Sequence, residues 1–306
     1  MQLRKYQTDT ISKTADSIRN KKKAPLVVLP TGAGKTVIFS EIAKRAVQKN
    51  NNVLILVHRR ELIKQASKKL ADIKVPHGII AAGFKPSSHP IQVASVQTIV
   101  RRLNSTSFKP ALIIIDEAHH SVAGSWKKVL DHFPQAKRIG VTATPCRLSG
   151  EGLRVMFDDL ILGPSVKELV QAGFLSPHKV FGAPQKINFN KIKMRGGDYA
   201  KDELAQEMIK ADITGDAVQQ YKKLANGLPA IAFCVNIAHA EIVKSKFNNS
   251  GIKADIITGD MNTDDRDQVI NGLSSRKIQV LVSIEVVSEG FDLPSVSCAI
   301  LLRKTA

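Results

Sequence analysis

The sequence predicts an α/β protein of two domains, each built on a doubly wound parallel sheet, with the second domain incomplete. Its 306 residues leave room for two domains, at about 100 to 200 residues each. Short apolar runs rich in Val and Ile alternate with segments of helical spacing, which is typical of buried parallel strands joined by crossover helices. A hydrophobic fraction of 43% and a charged fraction of 24% lie near the globular average and argue against a disordered chain.

The first half of the chain carries the clearest apolar runs. They span residues 26–29, 53–57, 91–94, 112–115 and 139–142. Each run is short and rich in the β-branched residues that strands favour. The intervening segments are long enough for crossover helices, so we predict one doubly wound domain over residues 1–165.

The second half predicts a shorter alternation of the same kind. A helix is predicted over 165–172, whereas 174–214 has weaker periodicity and a basic stretch over 186–195. We therefore interpret 166–214 as a linker or mobile insertion and 215–306 as a second α/β domain that is cut short. Its predicted helices are 215–225, 238–247 and 264–273, and its predicted strands are 230–235, 254–257, 279–283 and 296–302.

Net charge is the unusual quantity of this sequence. Lys and Arg number 45 against 27 Asp and Glu, which gives +18. Residues 1–165 hold 27 basic and 11 acidic side chains, whereas residues 166–306 hold 18 and 16. This asymmetry predicts a polyanionic partner, foremost nucleic acid, although a basic surface that only confers solubility gives the same count. With 11 Phe, 3 Tyr and 1 Trp the chain has few rings for base stacking, so we expect contacts to phosphates.

The sequence shows no apolar run typical of a membrane span and no cysteine spacing typical of disulfides or a zinc site. No apolar run approaches the roughly 18 to 20 residues that span a bilayer, and the chain opens polar and basic without a signal peptide. We therefore expect a cytoplasmic protein, in the host cytoplasm if a phage encodes it, without a membrane partner. Cys146, Cys234 and Cys298 are scattered and lack zinc-site spacing, so we expect reduced thiols with neither disulfides nor structural zinc.

The segment Pro-Thr-Gly-Ala-Gly-Lys-Thr at 30–36 follows the first predicted strand and opens a predicted helix. In that context backbone N–H groups curl around phosphates, Lys35 reaches the outer phosphates, and the Thr36 hydroxyl can bind Mg²⁺. The segment departs from the strict P-loop formula at Leu29, where that formula has glycine. The alternative interpretation of the segment is a glycine turn that arose by chance. The residues predicted to bind ATP here are Thr31, Gly32, Ala33, Gly34, Lys35 and Thr36.

The segment Asp116-Glu117-Ala118-His119 follows the fourth predicted strand. A carboxylate at the carboxyl end of a buried parallel strand, near a P-loop, is placed to hold Mg²⁺ and its water shell, and Asp116 takes that role. Glu117 is the predicted base that orients and deprotonates the attacking water. The alternative is that both residues are ordinary acidic helix caps.

Several motifs, taken in chain order, resemble those of superfamily 2 helicases and translocases. The 30–36 segment, the Asp-Glu-Ala-His segment and Thr-Ala-Thr-Pro at 142–145 each follow a predicted strand. Further matches lie at 3–7, 57–62, 95–98, 233–235 and 288–294, so the resemblance covers almost the whole chain. Within the superfamily, the sequence most resembles the DEAH-type, DNA-directed branch related to restriction-enzyme translocation subunits and phage helicase-like proteins. This resemblance is clearest at 144–148 and 176–177.

This resemblance implies two RecA-like domains with ATP between them and nucleic acid across the top. It implies that Gln7 and Arg4 read adenine, that His119, Thr142 and Thr144 couple phosphate chemistry to strand binding, and that His120 is structural. The positions implied to grip the backbone of one nucleic-acid strand are Arg59, Ser95, Gln97 and Thr98, and those implied to touch nucleotide in the second domain are Glu289, Gly290 and Asp292. The alternatives are a surface role for Gln7, a core role for His119 or a strand-end role for the threonines, and a solvated charge at Arg59.

The sequence thus predicts an enzyme that hydrolyses Mg·ATP to translocate along, or unwind, nucleic acid, with DNA expected from the resemblance. In the family a Gln-x-x-Gly-Arg-x-x-Arg motif follows the last predicted strand, and its arginines complete the ATP site. This sequence ends at Arg303-Lys304-Thr305-Ala306, so we expect a chain truncated before that motif. The alternative is a module that binds ATP and nucleic acid but hydrolyses little. A third alternative is a small P-loop kinase or transporter ATPase. Such a protein needs neither the 142–145 motif nor a second α/β domain, and the sequence predicts both.

Overall fold

A computed structural model describes residues 2–121, 124–145, 153–182, 192–195, 198–210, 213–284 and 293–303. The chain divides into two compact units, residues 1–179 and 180–306. Each described unit contains a parallel sheet flanked by helices, which confirms the predicted α/β class. Among the described residues no helix is both long enough and apolar enough to cross a membrane.

The described part of the first unit contains a sheet of seven parallel strands in the order β3-β4-β2-β5-β6-β1-β7. The strands are β1 (Pro25–Val28), β2 (Val53–Val57), β3 (Gly78–Ile80), β4 (Ile91–Ser95), β5 (Leu112–Asp116), β6 (Lys137–Thr142) and β7 (Asp159–Leu162). All five predicted strands are present, with ends shifted by up to two residues. The short edge strands β3 and β7 are additional to those predicted from the sequence.

Helices cover both faces of this sheet, which explains the continuous apolar runs of its central strands. Along β2, Val53, Ile55 and Val57 enter one apolar cluster, while Leu54 and Leu56 enter another. Successive side chains of a strand point to opposite faces, so each face has its own core. The helices are α1 (Lys5–Arg19), α2 (Lys35–Val47), α3 (Arg60–Asp72), α4 (Val96–Arg102), α5 (Gly124–His132) and α6 (Val166–Gln171).

The second unit has a parallel sheet in the order β11-β12-β10-β13 and a small antiparallel pair, β8 with β9. Its strands are β8 (Met194–Arg195), β9 (Asp198–Tyr199), β10 (Ala230–Phe233), β11 (Ala254–Ile257), β12 (Val280–Ser283) and β13 (Cys298–Leu301). Its helices are α7 (Lys201–Lys210), α8 (Ile213–Leu224), α9 (Ile237–Asn249) and α10 (Thr263–Ser274). Each predicted element of 215–306 is present here, with small shifts at its ends.

The segment interpreted as a linker, 166–214, differs from the structure where it is described. Leu169 of α6 is buried in the core of the first unit, and Leu175 packs against that core. Leu204 and Met208 of α7 are buried in the core of the second unit. These apolar side chains make α6 and α7 parts of the two units rather than of a connection between them.

The thiols that the structure describes are both free. Cys234 is buried, and burial raises the pKa of its thiol to about 12. Cys298 is half-buried, and burial raises its pKa as well. A raised pKa keeps a thiol protonated and unreactive at neutral pH. Cys146 lies outside the described residues.

Candidate active site

The P-loop connects β1 to α2 through two glycines with positive φ. Gly32 has φ 79° and Gly34 has φ 82°, a left-handed conformation that glycine adopts without steric cost. Gly34 is the N-cap of α2, which begins at Lys35. The first turn of a helix has N–H groups without intrahelical partners, and its dipole favours negative charge. The local structure is therefore that of a phosphate-binding turn.

The start of α1 packs directly on this loop. The hydroxyl of Tyr6 donates to the carbonyl oxygen of Ala33 at 2.7 Å, and Gln7 Nε2 donates to the same oxygen at 3.4 Å. Gln7 Oε1 accepts from the backbone N–H of Arg4 at 3.0 Å. Gln7 is only 3% exposed, so the alternative of a surface residue is wrong for it.

An aromatic residue that sequence reasoning missed lies beside Arg4. The Arg4 guanidinium carbon is 4.5 Å from the ring centroid of Phe174, within the range of a cation–π contact. The rings of Tyr6 and Phe174 are 5.5 Å apart. The next residue, Leu175, approaches Gly32 so closely that a Cβ on that glycine would lie 2.8 Å from Leu175 Cδ2. An aromatic residue just after the helix-ending Gly173 was the signal available, and it gives no hint of its partner.

Asp116 ends β5 as a buried carboxylate. It is 5% exposed, and its Oδ1 accepts from the backbone N–H of Glu117 at 3.0 Å. Burial first, and then the charge of Glu117, raise the pKa of Asp116 to about 7, although Lys35 opposes the shift. Lys35 therefore offsets only part of the cost of ionising Asp116. A divalent cation would offset more of it, and the carboxylate of Asp116 and the hydroxyl of Thr36 are hard oxygen ligands that suit Mg²⁺.

Glu117 is held by two neighbours in an unusual backbone conformation. Its Oε1 is 3.9 Å from Lys35 Nζ, and its Oε2 is 3.5 Å from His119 Nδ1. Its φ of 49° lies in the left-handed region, which a residue other than glycine rarely adopts. Such strain clusters at functional positions. The turn places the carboxylate of Glu117 toward the P-loop lysine.

His119 connects this carboxylate to the end of β6. The hydroxyl of Thr142 donates to the carbonyl oxygen of Thr144 at 3.0 Å and accepts from the N–H of Thr144 at 3.1 Å. His119 Nδ1 is 3.0 Å from the same hydroxyl oxygen. Because a hydroxyl has one hydrogen and Thr144 takes it, we assign Nδ1 of His119 as the donor to Thr142. The structure therefore brings together the three residues predicted to couple ATP chemistry.

The positions predicted to grip nucleic acid follow β2 and β4. Arg59 is the N-cap of α3, and its Nε donates to Nε2 of His58 at 3.1 Å. Ser95 is the N-cap of α4, and its hydroxyl donates to Oε1 of Gln97 at 2.8 Å. Thr98 lies in the first turn of the same helix and is half-buried. The predicted positions Glu289, Gly290 and Asp292 lie outside the described residues.

Strand order decides which of these groups are neighbours. In a parallel sheet all carboxyl ends meet at one edge, where ligands of open α/β sheets bind. The residues predicted to bind phosphate and Mg²⁺ and to couple their chemistry follow β1, β5 and β6, which are consecutive in the sheet, and the positions predicted to bind nucleic acid follow β2 and β4, which are also adjacent. Because β2 pairs directly with β5, the two groups share a continuous edge.

Family models match both units. Residues 1–147 match the model described as type III restriction enzyme, res subunit, and residues 211–305 match the helicase conserved C-terminal domain. A solved structure, the helicase domain of Hef from Pyrococcus furiosus, is similar with a TM-score of 0.56 at 18% identity, over 99% of this chain and 90% of that one. The chain therefore belongs to the superfamily 2 helicases, a class of ATP-dependent enzymes.

Three individual proteins are similar to this chain over most of its length. A 51.5 kDa protein of a Lactococcus phage is 34% identical over 92% of this chain and 59% of its own length. IRC3 of Saccharomyces cerevisiae is 33% identical over 99% of this chain and 47% of its own length. The DNA 3'-5' translocase XPB2 of Sulfurisphaera tokodaii is 24% identical over 99% of this chain and 75% of its own length. The chain thus spans about half to three-fifths of the length of the first two relatives.

Proposed function

We propose that this chain hydrolyses ATP to move along or unwind DNA. The observation that carries the proposal is the approach of Lys35 Nζ to Glu117 Oε1, 3.9 Å apart, where Glu117 follows the buried Asp116. A phosphate-neutralising cation, a base and a metal-binding carboxylate are the parts that P-loop phosphoryl transfer needs. Here Lys35 follows β1, while Asp116 and Glu117 lie at the end of β5, and in the sheet these two strands are separated by β6 alone.

In the proposed reaction a water molecule attacks the terminal phosphorus of ATP, and ADP leaves. Glu117 orients this water and accepts its proton, while Lys35 neutralises charge on the phosphate oxygens. The N–H groups of the P-loop and the first turn of α2 hold the phosphates. Mg²⁺, held by Thr36 and Asp116, would supply further neutralisation of phosphate charge when bound.

The purine is read, in this proposal, by the start of α1. Gln7 carries a carboxamide, which can donate to and accept from the edge of adenine. The guanidinium of Arg4 lies over the ring of Phe174, and its planar group can also stack on a base.

We propose DNA as the substrate on two observations: the charge of the first half supports a nucleic acid, and the name of one relative favours DNA. The first half of the chain holds 27 basic and 11 acidic side chains, and it is also the half that carries Arg59, Ser95, Gln97 and Thr98. Guanidinium, hydroxyl and amide groups at helix N-termini suit contacts to a phosphate backbone. The relative XPB2 is named a DNA translocase, which favours DNA over RNA.

The decisive experiment compares ATP hydrolysis, with and without DNA, in the full chain and its Glu117→Gln variant. Gln keeps the shape of Glu117 but cannot accept a proton, so we expect the rate to fall by about 10² to 10⁴ with ATP still bound. The matched control is Glu41→Gln, which removes a carboxylate that pairs with Arg45 on the surface of α2. Equal rates in the wild type and Glu117→Gln would contradict the assignment and favour a binding module with little hydrolysis.

A further inference from the structure

Three histidine rings pack against one another at tilted angles where the segments after β2 and β5 meet. The ring centroids of His58 and His120 are 4.6 Å apart, with an interplanar angle of 55°. Those of His120 and His119 are 4.1 Å apart, with an angle of 44°. We call His58, His120 and His119 the histidine column. The proposed ATP chemistry uses neither His58 nor His120.

Each end of the column contacts a residue with a proposed function. At one end, His119 Nδ1 lies 3.0 Å from Thr142 Oγ1 and 3.5 Å from Glu117 Oε2. At the other end, Nε2 of His58 accepts from Nε of Arg59 at 3.1 Å. The contacts therefore run without interruption from the proposed water-activating carboxylate to the proposed phosphate-gripping arginine.

The sheet explains why these residues meet although they are distant in sequence. β2 and β5 are paired in register, with Leu56 opposite Ile115, so their carboxyl ends are neighbours. His58 follows the end of β2, and a 3-10 helix spanning Ala118–His120 follows the end of β5. The short helix turns His119 and His120 back toward β2, where His120 packs on His58.

We propose that the histidine column couples the ATP site to the nucleic-acid site, with His120 and His58 as positioning residues; this inference rests on the proposed function. A change in the partners of Glu117 during the ATP cycle alters the contact of its Oε2 with Nδ1 of His119, and so the tilt of the His119 ring. Because the three rings are in contact, a tilt of His119 displaces His120 and, through it, His58 in this proposal. The displacement of His58 then moves its Nε2, the atom that accepts the hydrogen bond from Nε of Arg59.

Coupling of this kind is reciprocal in binding. If DNA raises the affinity for an ATP analogue by some factor, the analogue raises the affinity for DNA by the same factor. We define this ratio as the coupling factor. A substitution that only loosens the fold weakens both affinities, whereas loss of a coupling element lowers the coupling factor itself.

The test measures the coupling factor of the full chain with a non-hydrolysable ATP analogue and a short DNA duplex that carries a single-stranded tail. We expect a wild-type factor above about 5 and a loss of at least about threefold in His120→Ala. His120→Phe keeps a ring in the column and is expected to retain more than half of the factor. Addition of His58→Ala to His120→Ala is expected to cause little further loss, because both act in one path.

The matched control is His132→Ala. His132 is an exposed histidine at the end of α5 whose ring meets Phe133 edge-on at 4.8 Å, and it lies outside the column. An unchanged factor in His120→Ala, or an equal loss in His132→Ala, would overturn the role of the column while DNA-stimulated hydrolysis stands. A wild-type factor of one without stimulated hydrolysis would instead overturn the proposed function and the column together.

Discussion

Replacement of Gly34 by a residue with a side chain is unfavourable for two separate reasons. Its φ of 82° is strained for any residue that carries a Cβ, and a Cβ at this position would lie 2.7 Å from Nε2 of Gln7. Gln7 is buried and bonded to Ala33 and Arg4, so a displaced carboxamide would lose these partners. The shape of the phosphate loop and the position of the proposed base-reading residue therefore depend on one glycine.

We expect Gly34→Ala to reduce the preference for ATP over GTP toward one and to lower the free energy of unfolding by about 1 to 3 kcal/mol. Competitive nucleotide binding and urea unfolding measure the two effects. Gly173→Ala is the matched control, because Gly173 has φ 72° but no heavy atom within 4 Å of a built Cβ. It should lose similar stability and keep the nucleotide preference. A Gly34→Ala protein that still prefers ATP would show that Gln7 does not read the base.

The site residues that are contiguous in the chain were predictable from the sequence. Lys35, Asp116 and Glu117 belong to short motifs that follow apolar strands, so their place at the sheet edge followed from topology. Phe174 beside Arg4 could not be found in this way, because 170 positions separate them. The packing of His120 on His58 was missed for the same physical reason, since neither residue has a local pattern that specifies its partner.

Among the elements, β7 shows why the sheet was only partly predicted. Its Leu160 and Leu162 are 53% and 61% exposed, because β7 is the last strand of the described sheet. An edge strand has no buried run on both faces, so four residues beginning with Asp give a weak signal. The short β3 at the opposite edge has only two apolar side chains. Central strands such as β2 and β5, buried throughout, were predicted to within a residue.

Asp158, just before β7, ties this edge strand to β1. Its carboxylate accepts from the backbone N–H of Lys23 at 2.8 Å and of Ala24 at 2.9 Å. Burial alone would raise the pKa of Asp158, but these two bonds and the charge of Lys22 hold it below its usual value. The ionised form is thus the one that stabilises the contact between the strands.

Asp158→Asn should lower the free energy of unfolding at neutral pH by about 1 kcal/mol, because an amide cannot accept both bonds. A folded-state pKa below the usual 3.8 means that the stabilisation is complete above that pH and is lost as the pH falls toward the lower value. Urea unfolding of the wild type and the variant should therefore converge in acid. Asp131→Asn, an exposed change on α5, is the control. A difference that does not vary with pH would contradict this role of the carboxylate.

For the whole molecule, net charge is the property that sets DNA affinity in our proposal. Phosphate contacts release condensed counterions, so two or more such contacts lose at least about tenfold in affinity between 50 and 200 mM salt. Arg59→Gln should weaken binding to all sequences alike and reduce the salt slope by about one. The control is Arg154→Gln, which removes an exposed arginine of the same unit. Arg154 follows neither β2 nor β4, so this variant should leave the salt slope unchanged. Equal slopes for the wild type and Arg59→Gln would exclude Arg59 from phosphate binding.

The two sets of proposed ligand-binding groups come from different strands of the sheet. In our proposal the groups for the phosphates and Mg²⁺ follow β1, β5 and β6, and the groups for DNA follow β2 and β4. We therefore expect that replacing the loops after β2 and β4 with those of a relative alters the preferred nucleic acid and leaves ATP hydrolysis intact. Such a graft would end where β2 pairs with β5, and it would retain His58 so that the proposed coupling between the two sites is kept.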